Sequence, residues 1–159
     1  MATVTPQTLD WITRAPVHAR GSSTSTASPD AVFAVLADHD RWVEWFPRLK
    51  RVDVLGPAEG VGARRRVKVP LMTVEEEFIA WDPGARWSFM ATAVSPGWTR
   101  SLVEDCRLTG RPDGGTDIEY TMYLDPTGPI GWIMQRGLGL VRSTIRQAME
   151  NLAARAALS

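Results

Sequence analysis

The strongest hydrophobic pattern in this chain lies at its C-terminal end. Apolar residues recur there at steps of three and four positions, the spacing that places side chains on one face of an α-helix. The pattern predicts one long C-terminal helix over residues 128–158, with an apolar face toward a core and polar residues toward solvent. The residues of the apolar face are Ile130, Met134, Leu138, Val141, Ile145, Met149, Leu152 and Ala156.

The first half of this predicted helix is unusual, because it is apolar nearly all round and contains Gly131, Gly137 and Gly139. Each glycine costs roughly 1 kcal/mol relative to alanine inside a helix. Two interpretations are open. In the first, a loosely wound segment faces a cavity and leaves room for a ligand. In the second, the glycines are structural: they allow close packing of the backbone on a neighbour, or the helix starts later.

Between residue 49 and the C-terminal helix, the pattern changes to short extended runs separated by turn residues. Glycine, proline and aspartate mark the breaks, which are typical of hairpins between antiparallel strands. An earlier run, rich in serine and threonine, predicts the first strand. The predicted strands cover residues 17–27, 49–55, 62–69, 73–81, 86–94, 100–109 and 117–124.

Two short helices are predicted between the first strand and the others. Ser28, followed by a proline, is a typical N-cap for a helix over residues 31–36. Asp40 can cap a second helix over residues 41–46, and Pro47 ends it.

These elements predict an α+β fold in which a seven-stranded, curved antiparallel sheet surrounds the long C-terminal helix. Neither the sheet nor the helix can bury its apolar face otherwise. Residues 17–159 are interpreted as a single domain. Residues 1–16 are interpreted as an N-terminal extension with a short helix, which either docks as a lid or frays.

The overall charge gives the chain no electrostatic preference for a class of partner. The chain has 159 residues with 18 basic and 18 acidic side chains, so its net charge steers it toward neither nucleic acid nor an anionic membrane. Its one cysteine, Cys106, excludes an internal disulfide and suits a reducing cytoplasm. With no signal peptide or membrane-spanning run in the sequence, we expect a cytoplasmic monomer or homodimer.

Residues 27–38, followed by Trp42, Trp45 and Pro47, resemble the START-like superfamily, also called SRPBCC. The similarity is to its polyketide cyclase/dehydrase and lipid-transport type, and the turn 82–87 adds to it. The resemblance implies a Bet v 1-like helix-grip fold with a deep cavity between sheet and long helix. It also implies an apolar ligand such as a lipid, sterol, hormone or polyketide. Only some members of the superfamily are enzymes.

Strand alternation and the resemblance together indicate which side chains line such a cavity. Aromatic residues after the first short helix are expected at its mouth, where they either contact ligand or act as structural plugs. Trp98, in a turn, is expected to be exposed and to gate the cavity or touch a membrane. The expected lining is Trp42, Trp45, Phe46, Arg65, Val67, Phe78, Trp87, Phe89, Glu104, Cys106, Tyr120, Met122, Met134, Leu138 and Val141.

Glu104 stands on a strand face that is otherwise apolar, between Leu102 and Cys106. If this carboxyl is enclosed, its pKa should rise, and it becomes an acid or a hydrogen-bond donor. The alternative is a carboxylate at the sheet rim or paired with an arginine. Tyr120 is expected on the same face from the next strand.

Two charge runs, Arg64–Arg66 and Glu75–Glu77, flank a predicted turn at residues 70–71. Such a turn pairs the runs across neighbouring strands, and each opposite-charge pair contributes roughly 0.2–1 kcal/mol. This pairing removes most of the case for a nucleic-acid patch. If Val67 and Val69 face the cavity, Arg65 faces it too, and with that register Glu76 joins Val74 and Phe78 there. Arg65 then either holds a carboxylate, carbonyl or phenol of a ligand or forms a buried structural ion pair.

No metal, cofactor or nucleophile motif is present: the sequence lacks HExxH, a cysteine pair, Gly-x-Ser-x-Gly and a phosphate loop. The prediction is therefore binding, or binding and transport, of a hydrophobic small molecule. The alternative is a cofactor-independent polyketide aromatase/cyclase, with Arg65, Glu104 and Tyr120 as its polar groups.

Overall fold

The strands of a computed structural model, which describes residues 1–158, form one antiparallel sheet that curls around a C-terminal helix. The strand order along the sheet is β2-β8-β7-β6-β5-β4-β3, and β1 pairs with β6 outside this path. The strands are β1 (Ala2–Thr3), β2 (Val17–Ser25), β3 (Arg51–Val54), β4 (Arg64–Val69), β5 (Met72–Asp82), β6 (Arg86–Ser95), β7 (Thr99–Gly110) and β8 (Thr116–Pro126). The α-helices are α1 (Pro29–Ala37), α2 (Gly128–Arg136) and α3 (Leu138–Ala157), and 3₁₀ helices span Leu9–Thr13 and His39–Glu44.

The predicted fold class is confirmed. The seven predicted strands correspond to β2 through β8, with ends that shift by a few residues, and α1 and the second 3₁₀ helix are the two short helices. Ser28 caps α1, because its hydroxyl accepts a hydrogen bond from the Ala31 N–H at 3.2 Å.

The N-terminal segment supplies a strand that the sequence pattern did not predict, since β1 contains only two residues. β6 pairs with β7 only from Arg86 to Met90, and the N-terminal segment lies beside the remainder of β6. The Val4 N–H donates to the Thr92 carbonyl at 3.2 Å, and the Thr5 N–H donates to the Arg100 carbonyl on β7 at 2.8 Å. The segment therefore bridges two strands that have separated.

The long C-terminal helix is confirmed as α3, but its predicted start at residue 128 was wrong, because the helix breaks at Gly137 and the shorter α2 precedes the break. The Gly137 N–H closes α2 by bonding to the carbonyls of Ile133 at 2.9 Å and Met134 at 3.1 Å. In the described part of α3 the buried residues follow the predicted face, as with Ile145 and Met149, whereas Gly131 is the one buried residue of α2.

The glycines of this region serve different purposes. A Cβ on Gly131 would lie 2.6 Å from the Trp98 carbonyl oxygen, so this residue fits the close-packing interpretation. A Cβ on Gly139 would meet nothing within 4 Å. Gly21 of β2 also permits close approach, since its Cβ would lie 2.7 Å from the backbone nitrogen of Arg146 in α3.

Trp98 is buried, with 2% of its surface exposed, so the expectation of an exposed aromatic at this turn was wrong. Its side chain belongs to the hydrophobic core, and the start of α2 packs on its backbone. The Trp98 carbonyl accepts a hydrogen bond from the Thr127 N–H at 2.9 Å.

Candidate functional site

A cavity of about 120 Å³ lies between the concave face of the sheet, the second 3₁₀ helix and α2. Its wall is mostly apolar, and its ionisable groups are one arginine, two glutamates and one tyrosine. It is lined by Trp42, Phe46, Leu49, Arg65, Val67, Val69, Met72, Val74, Glu76, Phe89, Trp98, Leu102, Glu104, Tyr120, Met122 and Met134.

The structure brings most of the expected lining residues together around this cavity. Those in its wall are Trp42, Phe46, Arg65, Val67, Phe89, Glu104, Tyr120, Met122 and Met134. The others lie outside the wall. Trp45, Phe78, Trp87 and Cys106 are buried in the adjoining core, and Leu138 and Val141 are half-buried on α3. The strand faces extend beyond the cavity. Met134 is the one α2 residue in the cavity wall, because the helix breaks after it.

Several residues of the wall stand outside the expected lining set. Val74 and Glu76 were signalled by the register, because they stand opposite Val67 and Arg65 on the neighbouring strand. Alternation from Glu104 also signalled Leu102. Alternation along β4 signalled Val69 in the same way. Leu49, Met72 and Trp98, which lie in loops or at a strand end, carried no periodic signal.

A buried ion pair stands at one side of the cavity. The Arg65 Nε–H donates to the Glu76 Oε2 at 2.5 Å, and the two residues are 1% and 5% exposed. Burial raises the pKa of Glu76, while the charge of Arg65 opposes that shift. The guanidinium also lies over aromatic rings, 4.1 Å from the centre of Trp42 and 4.9 Å from that of Trp87.

His39 completes the surroundings of this arginine. Its Nε2 lies 2.9 Å from the Ala58 carbonyl, so Nε2 carries the proton and donates it. Nδ1 is therefore free to accept from the Arg65 Nη1 at 3.3 Å. Burial, and then the positive charge of Arg65, lowers the pKa of His39 from 6.5 to about 4, so the imidazole is neutral.

A second polar pair stands at the cavity wall between β7 and β8. The Tyr120 hydroxyl donates a hydrogen bond to the Glu104 Oε2, and both groups are buried. Burial, and then the negative charge of Glu76, raises the pKa of Glu104 to about 8. Burial and the neighbouring Glu104 raise the pKa of Tyr120. At neutral pH the pair is therefore uncharged and can donate to or accept from a ligand oxygen.

The opposite face of β7 carries a different buried carboxylate, Asp105, which the sequence interpretation did not single out. Arg86 donates two hydrogen bonds to it, at 2.9 and 3.0 Å, and Ser88 and Arg107 donate as well. Burial alone would raise the pKa of Asp105, but the hydrogen bonds from Arg86 and Ser88 lower it. Because alternate residues of a strand face opposite sides, this cluster points away from the cavity and supports the sheet.

The site offers little basis for a cysteine nucleophile or a metal ion. Burial raises the pKa of the Cys106 thiol, and the Asp105 carboxylate adds to the shift, so the thiol is not a nucleophile at neutral pH. Within residues 1–158, no group of three or more histidine, cysteine, aspartate or glutamate side chains is placed to hold a metal ion.

Comparison with known proteins identifies a matching family and related chains. Residues 16–157 match the family model for polyketide cyclase / dehydrase and lipid transport proteins. An uncharacterized protein of Mycobacterium tuberculosis is 29% identical over 146 residues, which make up 91% of this chain and 87% of that protein. An uncharacterized protein of Mycobacterium bovis matches to the same extent.

Solved structures share the fold at low sequence identity. The Zhui aromatase/cyclase of a Streptomyces species gives a TM-score of 0.75 at 17% identity, over 88% of this chain and 93% of that one. A START superfamily protein of Mycobacterium smegmatis gives 0.71 at 11% identity, over 87% of this chain and 97% of that one. At such identities the likeness shows the fold alone.

Proposed function

The chain belongs to the polyketide cyclase / dehydrase and lipid transport family, and we propose that it binds a compact, uncharged, mainly apolar molecule in the cavity. The family and the helix-grip fold support a hydrophobic ligand in general. The side chains in the wall support the narrower statement about its charge and size.

The observation that carries the proposal is the Glu104–Tyr120 pair, which stands in an otherwise apolar part of the wall. Contact with apolar side chains supplies most of the affinity, roughly 25 cal/mol per Å² buried. The polar pair supplies orientation, since a protonated carboxyl donates to a carbonyl or phenol oxygen of the ligand.

The charges at the cavity favour an uncharged ligand. The charge of Arg65 is already balanced by Glu76 at 2.5 Å, and its guanidinium is further enclosed by aromatic rings. A ligand carboxylate would stand beside Glu76 without a free cation, and burying such a charge unpaired costs several kcal/mol. The structure thus favours the buried ion pair over the ligand anchor that the sequence left open for Arg65.

The size of the cavity restricts the ligand further. Cavities for drug-sized ligands measure about 300–1,000 Å³, whereas this one measures about 120 Å³. One ring and a short substituent fit, as benzene fits an engineered apolar cavity of about 150 Å³. A larger guest requires α2 to move, and of its residues only Gly131 is buried.

Organic extraction of the purified protein, followed by mass spectrometry, tests this proposal. We expect an uncharged, mainly apolar compound to be released from the native protein. A Val67→Phe variant, which fills the cavity, should lose the compound, whereas Val43→Phe at an exposed position should retain it. Recovery of fatty acids as the main ligand, or equal recovery from both variants, would contradict the proposal.

The alternative function is a polyketide aromatase/cyclase, favoured by the same Glu104–Tyr120 pair as a proton donor and acceptor. Intramolecular aldol closure breaks one C–H bond beside a carbonyl and forms the C–C bond of the ring, while the attacked carbonyl takes up a proton and becomes an alcohol. Loss of water then introduces a double bond into the ring without any oxidant. The protein would supply position and proton transfer. The small cavity disfavours it, because an extended poly-β-keto chain exceeds the space available.

Product analysis with a synthetic linear polyketone separates the alternative from simple binding. A cyclase would change the distribution of cyclised products relative to buffer, and both Glu104→Gln and Tyr120→Phe would reduce that change. Turnover that survives both substitutions would rule out the catalytic assignment of these two residues.

A further inference from the structure

An exposed apolar surface occupies α2 and the first turn of α3. Trp132 is 56% exposed, Ile133 61% and Leu140 59%. Ile130, one turn before, is also exposed. Such a group of large apolar side chains marks an interaction surface more often than a solvated helix.

The same part of the chain is locally basic, although the whole chain has no net charge. Residues 126–149 contain three arginines and neither aspartate nor glutamate. Arg136 stacks on the Trp132 ring, with its guanidinium carbon 4.3 Å from the ring centre. Within residues 1–158, Arg142 and Arg146 make no ion pair.

A groove of about 570 Å³ begins just after the helix break and is lined by donors suited to an anion. Arg142 and Arg146 reach it from α3, and hydroxyl groups of Ser22 and Ser143 stand beside them. Arg20 also lines the groove, but it is paired with Glu119 at 2.5 Å. The uncompensated positive charge of the groove therefore comes from α3.

We propose that α2 and the first three turns of α3 form a docking surface for an anionic phospholipid bilayer. Trp132 and Ile133 enter the boundary between headgroups and acyl chains, where tryptophan is favoured. Arg136, Arg142 and Arg146 contact lipid phosphates. The protein rests on the membrane without crossing it, since no helix within residues 1–158 combines the length and apolar character of a membrane span.

Charge and size favour a bilayer over a second copy of the chain as the occupant. A two-fold dimer through this surface would bring the arginines of one copy toward those of the other, without an acidic residue in residues 126–149 to separate them. A stable dimer also buries about 800 Å² on each partner, more than a few side chains of one short helix supply.

The docking surface adjoins the cavity. Met134 of α2 lines the cavity, while Trp132 and Ile133 of the same helix face outward. A movement of α2 on the bilayer would therefore open the cavity toward the lipid. This last step rests on the proposed function, whereas docking itself does not.

Sedimentation of the intact protein with lipid vesicles tests the proposal. We expect it to sediment with vesicles of equal parts phosphatidylcholine and phosphatidylglycerol, less so as salt is raised, and not with phosphatidylcholine alone. A Trp132→Ala/Ile133→Ser variant should bind about tenfold more weakly or worse. Val61→Ser, at an exposed position outside the surface, should bind as the native protein does.

The arginines have a matched control of their own. The double variant Arg142→Gln/Arg146→Gln should lose about tenfold in affinity for the anionic vesicles. Arg41→Gln, which removes an exposed charge beside Glu44, should have no effect. Thermal unfolding of each variant checks that it is folded.

Three results would overturn the proposal. One is absence of binding by the native protein, and another is equal binding by the native protein and the Trp132→Ala/Ile133→Ser variant. The third is a dimer in sedimentation velocity that this variant dissociates, without any vesicle binding, because that result assigns the surface to a second copy of the chain.

Discussion

The Tyr120 hydroxyl donates a hydrogen bond to the Glu104 carboxyl, from β8 to the neighbouring β7, at the wall of the cavity. The pair is diagonal, since Tyr120 stands directly opposite Cys106 in the strand register and Glu104 opposite Met122. This geometry places two polar groups together on a face that is otherwise apolar. The chemistry of the cavity therefore depends on the protonation of Glu104.

The stability of the protein should fall as pH rises toward 8. The pKa of Glu104 is about 8 in the folded chain and 4.5 when unperturbed, so the folded state holds this proton more tightly. The stabilisation is complete below pH 4.5 and is lost as pH rises to about 8, by on the order of a few kcal/mol. Urea unfolding at several pH values measures it.

The matched variant is Glu104→Gln, which keeps the shape of the side chain but cannot ionise. It should abolish most of the loss between pH 6.5 and 8. The unfolded chain releases the His39 proton near pH 6.5 in both proteins, so this contribution is the same in both and cancels in the comparison. Identical pH profiles for the native protein and the variant would show that Glu104 is ionised in the folded chain.

Arg65→Met should destabilise the fold by about 3–5 kcal/mol, because it leaves Glu76 buried without a counter-charge. The adjacent pair is its control, since Arg66 and Glu75 stand on the same strands but Arg66 is exposed. Arg66→Met should cost less than about 1 kcal/mol. Chemical denaturation compares the two variants.

Removal of both charges of the buried pair distinguishes two causes of instability, which are the burial of an unpaired charge and the loss of side-chain packing. Arg65→Met/Glu76→Leu should recover most of the stability lost in Arg65→Met alone. A double variant that is less stable than the single one would show that the pair itself stabilises the fold.

Two glycines of the C-terminal region should respond oppositely to alanine. Gly131→Ala places a Cβ 2.6 Å from the Trp98 carbonyl, so α2 must shift, at a cost of about 1–3 kcal/mol. Gly139→Ala meets open space and should stabilise α3 by up to about 1 kcal/mol. Melting temperatures test this difference, and equal shifts for both variants would contradict the close packing of α2.

His39 should remain neutral well below its ordinary range of titration. Its pKa is lowered from 6.5 to about 4, so the folded chain loses stability as pH falls from 6.5 toward 4. An NMR titration should give a midpoint near 4 for this imidazole. His18→Gln assigns the signal, because the chain has two histidines. A midpoint at or above 6.5 would mean that His39 does not accept from Arg65.

The sequence predicted the sheet well because charge and alternation specify register. The pairing of Arg64–Arg66 with Glu75–Glu77 is confirmed residue by residue. The side chain of Arg64 nevertheless lies within ion-pair distance of Glu75, at 3.9 Å, and not of its register partner. Strand register determines which backbone positions stand opposite each other, but a long side chain can still reach a carboxylate at a neighbouring position.

Features that depend on tertiary contacts were not predictable. The break at Gly137 has no signal beyond glycine itself, because apolar residues on all sides of the segment hide its change of direction. β1 is too short for any periodic pattern, and the burial of Trp98 depends on packing in the core, which a turn sequence does not reveal. The cavity followed strand alternation where β4 to β8 line it, but the second 3₁₀ helix, α2 and loops supply the rest.

Titration of the protein with acetophenone and with benzoate tests the central claim most directly. The two molecules have similar shape, and only benzoate carries a charge. The account predicts that acetophenone shifts NMR signals of residues lining the cavity, that Glu104→Gln/Tyr120→Phe weakens its binding, and that benzoate does not bind there. Binding of benzoate in the cavity, or absence of acetophenone from it, would contradict the account.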